Sequence, residues 1–133
     1  LKKVQLGDAF LPLLSPWQKM LDIGLTTFAE QPEPTRSDCH AWGSSPNIEF
    51  YRTILGIDTD APGFAKVRIE PHLGNLKNVS GEMPHPNGKI SVQYSNSAQE
   101  MIAVIILPER VTGRFVWKGK NYPLKPGKNV INL

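Results

Sequence analysis

The side chains able to do chemistry gather in one stretch of the chain. Among the residues between Phe28 and Trp42 are Glu30, Asp38, Cys39 and His40, offering carboxylate, thiol and imidazole groups in a segment interrupted by Pro32 and Pro34. Proline drives the residue before it out of the helical region, so this segment is expected to be an irregular loop, the kind of backbone that carries catalytic and binding groups. Taken singly, each residue has a plain structural reading. Glu30 reads as a solvent-facing acid ending a helix, and His40 as a histidine that bonds the loop backbone and helps to cap the next helix. Trp42 reads as packing at a helix entry, and Cys39 as a small buried residue with no general base beside it. His72 and His85 fall in turn-rich segments and suggest no particular role. With one cysteine there is no internal disulfide, and the three histidines have no zinc-ligand spacing, so neither metal nor cofactor is implied.

The elements that hold this loop can be read from periodicity. Trp17, Met20, Leu21, Leu25 and Phe28 recur on one helical face from Ser15, a plausible N-cap, with Pro16 at the first helical position and Gly24 weakening the far end near Leu25. After the loop a second helix is expected, capped by Ser44 or Ser45, with Pro46 in its first turn, Glu49 offsetting the dipole, and Ile48, Tyr51, Ile54 and Leu55 facing a core. Gly56 should end it. Beyond that point short apolar runs at residues 65–70, 78–82, 89–94, 101–107, 113–117 and 130–133 are separated by turn residues and read as strands. Asn87-Gly88, residues 118–120 and Pro126-Gly127 give hairpin-type turns, which points to antiparallel connections. The alternation Ile90, Val92, Tyr94 marks a strand with one wet face, whereas residues 101–107 are apolar throughout and should form a central strand. The fold class is therefore α+β, a short helical segment followed by a small all-β unit. The helices carry more apolar surface than so small a sheet can cover, so further helical neighbours are expected.

Composition bounds the function. The chain has 133 residues, 40% hydrophobic and 20% charged, which suits one folded domain or a piece of a larger enzyme. Its net charge of +3 is spread among acidic residues, and residues 118–128, the densest in lysine, are broken by Gly and Pro, so no nucleic-acid partner is expected. The stretch at residues 9–14 is interrupted by Pro12 and too short to span a bilayer. The leading Leu1-Lys2-Lys3-Val4 shows no signal-peptide pattern.

Three segments in order carry a resemblance. Gly24-Leu25-Thr26-Thr27-Phe28-Ala29-Glu30, then Ser37-Asp38-Cys39-His40-Ala41-Trp42-Gly43-Ser44-Ser45-Pro46, then Tyr51-Arg52-Thr53-Ile54-Leu55-Gly56-Ile57, are similar to the end of the catalytic toroid of bacterial α-L-rhamnosidases. Pro62-Gly63-Phe64, Val67-Arg68-Ile69-Glu70-Pro71, Leu73-Gly74, Gly81-Glu82 and Pro86-Asn87-Gly88 resemble the entry to that family's C-terminal β-sandwich. Each motif alone is short; their order and spacing give the likeness its specificity. Ala29 stands where many members carry an aromatic residue.

The resemblance implies the last helices of an (α/α)6 toroid over residues 1–57 and an antiparallel β-sandwich over residues 58–133. It implies an inverting glycoside hydrolase acting on terminal α-L-rhamnosides, with Glu30 as general base, His40 lining the sugar subsite and Trp42 offering a π face to the ring. The general acid and the rest of the toroid would lie upstream, so the chain alone is expected to be inactive. It tilts location toward the periplasm or exterior. The alternative is a non-catalytic module, structural or carbohydrate-binding, in which Tyr94, Phe115, Trp117 and Tyr122 form a glycan platform on the sandwich; core packing is the plainer reading of those four.

Overall fold

The computed structural model of the protein describes residues 6–133, and the leading residues read for a signal peptide lie outside the described part. A 3-10 turn at Leu11–Leu14, which accepts Pro12 near its start, runs directly into helix α1, Ser15–Asp22. Ser15 therefore has helical backbone angles and makes no capping hydrogen bond, because the turn before it already sets the helical path. The helix ends as the glycine position suggested. Gly24 takes φ +83°, its N–H donates to Leu21, and the Leu25 N–H reaches back to Met20, so two terminal carbonyls are satisfied in a Schellman arrangement.

The second helical stretch departs from expectation in one instructive way. A 3-10 turn at Ala41–Ser44 leads into α2, Pro46–Glu49, which continues as a π-helical turn over Phe50–Ile54. Neither Ser44 nor Ser45 caps it; the Ser44 hydroxyl donates instead to the Ala41 carbonyl at 2.6 Å. The π turn lengthens the hydrogen-bond ring, as in Leu55 N–H to Phe50 O at 2.9 Å. Thr53, Ile54 and Leu55 are buried, while Ile48 and Tyr51, expected to face the core, are exposed. Gly56 then breaks the helix at φ +75°.

Eight strands follow among the described residues. They are β1 (Ile57–Thr59), β2 (Lys66–Ile69), β3 (Asn78–His85), β4 (Gly88–Asn96), β5 (Met101–Leu107), β6 (Thr112–Trp117), β7 (Lys120–Leu124) and β8 (Gly127–Asn132). Two four-stranded sheets, ordered β1-β2-β6-β7 and β3-β4-β5-β8, pack face to face as a β-sandwich. Every pairing is antiparallel except β2 with β6, where Val67 lies opposite Gly113 in parallel. That pairing is possible because the chain leaves β2, builds three strands of the other sheet, and returns with ample connection length.

The core lies between the sheets. Ile90, Val92 and Tyr94 point inward from β4, as their alternation requires, and β5 sits between β4 and β8 with Met101, Ala103, Ile105 and Leu107 buried. Tyr94 and Phe115 are fully enclosed at 6.3 Å between ring centroids, and Phe115 also neighbours Trp117 and Tyr122. The four sandwich aromatics are thus packing groups; only Trp117 and Tyr122 keep partial exposure. None of the described helices is long and apolar enough to cross a membrane.

Candidate functional site

The loop between α1 and α2 is held together by its own backbone. The Glu30 N–H donates to the Ser37 carbonyl at 2.9 Å and the His40 N–H to the Phe28 carbonyl at 2.7 Å, so residues 28–30 and 37–40 run side by side. Thr27 adds a hydroxyl bond to the Asp38 carbonyl. From α1 the Trp17 indole N–H reaches the Gly43 carbonyl at 2.6 Å and anchors the loop's far end. This folding places Glu30, ten residues away in sequence, on the same strip as His40.

Glu30 is only 15% exposed at its side chain, yet it is fully paired. The Arg36 guanidinium donates from Nε to Oε2 and from Nη2 to Oε1, both at 2.6 Å, a planar two-pronged contact. That bond holds the Glu30 carboxyl below the usual carboxylate range; burial opposes it, and the charge of nearby His40 adds to the lowering. The His40 ring stacks on Trp42 at 4.8 Å between centroids with a 35° tilt. Trp42 is 72% exposed, so within this chain its outer face is open rather than packed. Cys39 is exposed as well, against the expectation of a buried thiol, because the loop leg that carries it lies at the surface. His85 is occupied structurally, its Nδ1 accepting from the Asn87 N–H and its Nε2 lying 2.9 Å from the Phe64 carbonyl. His72 stands 3.8 Å from Asp8.

The structure therefore brings Arg36, Glu30, His40 and Trp42 into one series on an open surface. The neighbouring apolar groove, about 300 Å³, is lined by Met20, Leu25, Ala29 and Gln31 and takes neither Glu30 nor His40. Chemically, the series offers an ionised carboxylate of fixed orientation, a hydrogen-bonding imidazole and an exposed aromatic face. Sequence reasoning missed Arg36. The available signal was a cation six residues after Glu30 across a proline-bearing loop, but only the side-by-side run of the two legs makes them partners. Among the described residues, no three His, Cys, Asp or Glu side chains converge as metal ligands.

Comparison with known proteins places the sandwich and the overall fold. The family model described as the bacterial alpha-L-rhamnosidase C-terminal domain matches residues 56–131, which begins at Gly56 and covers the sandwich. An alpha-L-rhamnosidase from Alteromonas sp. (strain LOR) is 29% identical over 92 residues, which take in 61% of this chain and 10% of that protein. Among solved structures, the alpha-L-rhamnosidase of Aspergillus terreus superposes with a TM-score of 0.76 at 16% identity, over 88% of this chain and 15% of its own. That of Streptomyces avermitilis, complexed with L-rhamnose, gives 0.76 at 17% identity over 88% and 14%. At these identities the structures establish the fold, and the chain spans about a tenth of the length of its curated relative. With the family match extending over more than half of its residues, the chain belongs to the bacterial α-L-rhamnosidase C-terminal domain family.

Proposed function

We propose that this polypeptide is the C-terminal part of an enzyme that removes terminal non-reducing α-L-rhamnose from glycosides or polysaccharides with inversion. The observation that carries the reading is the ionised, oriented Glu30 carboxylate sharing one loop strip with His40 and the open face of Trp42. Inverting hydrolysis needs a base that draws a proton from water on one face of the sugar while an acid, about 6.5–9.5 Å away, protonates the leaving oxygen on the other. Glu30 is the base: water attacks the anomeric carbon, its proton passes to the carboxylate, and the glycosidic bond breaks toward the acid. His40 bonds the sugar, and Trp42 packs its π face on the ring. The acid and the remaining sugar contacts come from toroid helices preceding this segment, and residues 58–133 buttress them.

The test is hydrolysis of an aryl α-L-rhamnoside by the full-length enzyme. Glu30→Gln lowers kcat by about 10²–10⁴-fold while KM changes little, because the base acts in the transition state. NMR of the first-formed sugar shows the β-anomer. The 133-residue chain by itself gives no turnover. Hydrolysis by the isolated chain that survives Glu30→Gln overturns both the base assignment and the need for upstream helices.

A further inference from the structure

We infer that Arg36 is a positioning residue for Glu30, gripping both carboxylate oxygens and thereby fixing the plane in which the carboxylate meets the attacking water. The inference rests on the reading of Glu30 as base and adds what aims it. A glutamate on a proline-bearing loop has three rotatable side-chain bonds, and without a second contact its carboxylate would sample many directions. Here both oxygens are held at 2.6 Å by one rigid guanidinium. The fork takes one lone-pair site on each oxygen and leaves the others for water and for the transferred proton.

The loop is built so that the two residues stay in reach. Glu30 N–H to Ser37 O closes its base at 2.9 Å, the Gln31 side-chain amide donates to Pro34 O at 3.1 Å, and the Thr35 hydroxyl donates to Ser37 O at 3.1 Å. The guanidinium lies outermost, 81% exposed, with the 15% exposed carboxylate beneath it. A plain surface ion pair between two exposed side chains adds little stability. A partly covered carboxylate held in a fork beside an imidazole is a different object: a guanidinium that stays charged throughout the working range moves its titration to lower pH. The direction of the Glu30 shift agrees with this geometry.

The experiment uses the full-length enzyme with an aryl α-L-rhamnoside and reads the pH dependence of kcat/KM, whose acid limb reports the base. Arg36→Gln moves the acid limb to higher pH and lowers plateau kcat by about tenfold or more, as expected for a misaimed base. Arg36→Lys, which keeps the charge and loses the fork, returns the limb toward wild type but leaves kcat reduced. In the Glu30→Gln background, Arg36→Gln causes no further loss, since nothing remains to be aimed. Retained activity in Glu30→Gln alone sinks the base reading, and the role of Arg36 with it. An inactive Glu30→Gln enzyme beside an Arg36→Gln enzyme with unmoved limb and kcat overturns only the role of Arg36. Should Arg36→Gln fail to fold, Arg36→Lys decides: wild-type kcat without the fork refutes the proposal.

Discussion

Tyr94 carries its hydroxyl into the sandwich core, where the O–H donates to the Leu55 carbonyl at 2.7 Å. The bond joins the residue that closes the second helical stretch to a central strand, and burial pushes the phenol well above its ordinary 10.0. Tyr94→Phe keeps the ring against Phe115 but leaves the Leu55 carbonyl without a partner. The expected cost is about 1–3 kcal/mol, read as a lower urea midpoint at unchanged slope. The pH sign follows from the raised value: the folded state keeps its proton where the unfolded chain gives it up, so this stabilisation is complete below about pH 10 and declines above it. Wild-type stability should fall faster than that of Tyr94→Phe as the pH is taken above 10, and equal slopes would show that the phenol is not enclosed. None of this is visible in the sequence beyond an inward place for Tyr94 in the Ile90, Val92, Tyr94 alternation. Which carbonyl it meets depends on a helix end 39 residues earlier. Arg36 was hidden for the same reason, since a fork to Glu30 exists only once the two loop legs are paired.

Elements were legible where one local signal decides them. The apolar run of β5 and the alternation in β4 specify a central strand and a half-buried one whatever surrounds them, and the structure has both. Strands β1 and β7 were not foreseen: Asp58 and Thr59 resemble turn residues, and Pro123 argues against a strand except at a sheet edge, which is where β7 lies. The parallel pairing of β2 with β6 is a long-range property that no short motif announces. Two glycines separate backbone strain from crowding. Gly24 and Gly56 both hold positive φ, but an added Cβ at Gly24 meets open space, whereas at Gly56 it strikes the backbone of Glu70 and Pro71. Gly24→Ala is expected to cost about 1–2 kcal/mol for conformation alone. Gly56→Ala must also push β2's exit away and break the Glu70 N–H to Gly56 O bond, so its loss should be clearly larger. Equal denaturation midpoints for the two variants would mean that the helix end does not sit against the strand exit. Between strands, Arg114 forks to Asp60 at 2.9 and 3.0 Å and holds that carboxyl below its ordinary 3.8. This contribution is present above about pH 4 and is lost as acid titrates Asp60, and partial exposure of both side chains keeps it small. Asp60→Asn should flatten the acid arm of the stability curve, and an unchanged acid arm would count against the fork.

At the scale of the molecule, stability is unequally shared. The continuous core runs through Leu55, Ile69, Tyr94, Ile105, Phe115 and Leu124, all belonging to the sandwich or to its first contact with the helix end. Among the described residues before 54, only Phe10, Met20 and Ala29 are buried hydrophobics, while Leu13, Leu21, Ile23, Ile48 and Phe50 stand exposed. Apolar side chains on so short a pair of helices supply little burial to offset ordering, so opening of this segment should be cheap compared with unfolding of the sheets. Amide hydrogen exchange of the isolated chain should therefore show two classes. Amides of β4 and β5 exchange only with global unfolding, and those of α1, α2 and the intervening loop exchange through local opening at much lower free energy. If, as proposed, preceding toroid helices cover the exposed band, the same α1 and α2 amides become strongly protected in the proposed full-length protein while the β4 and β5 amides change little. On the proposed reading, the loop bearing Glu30 and Arg36, already closed by its own backbone bonds, would gain further order from that coverage, so the rigidity of the proposed base would depend partly on the assembled toroid. Protection that is already uniform across helices and sheets in the isolated chain would contradict this division, because it would mean the helical segment needs no neighbours to hold its shape.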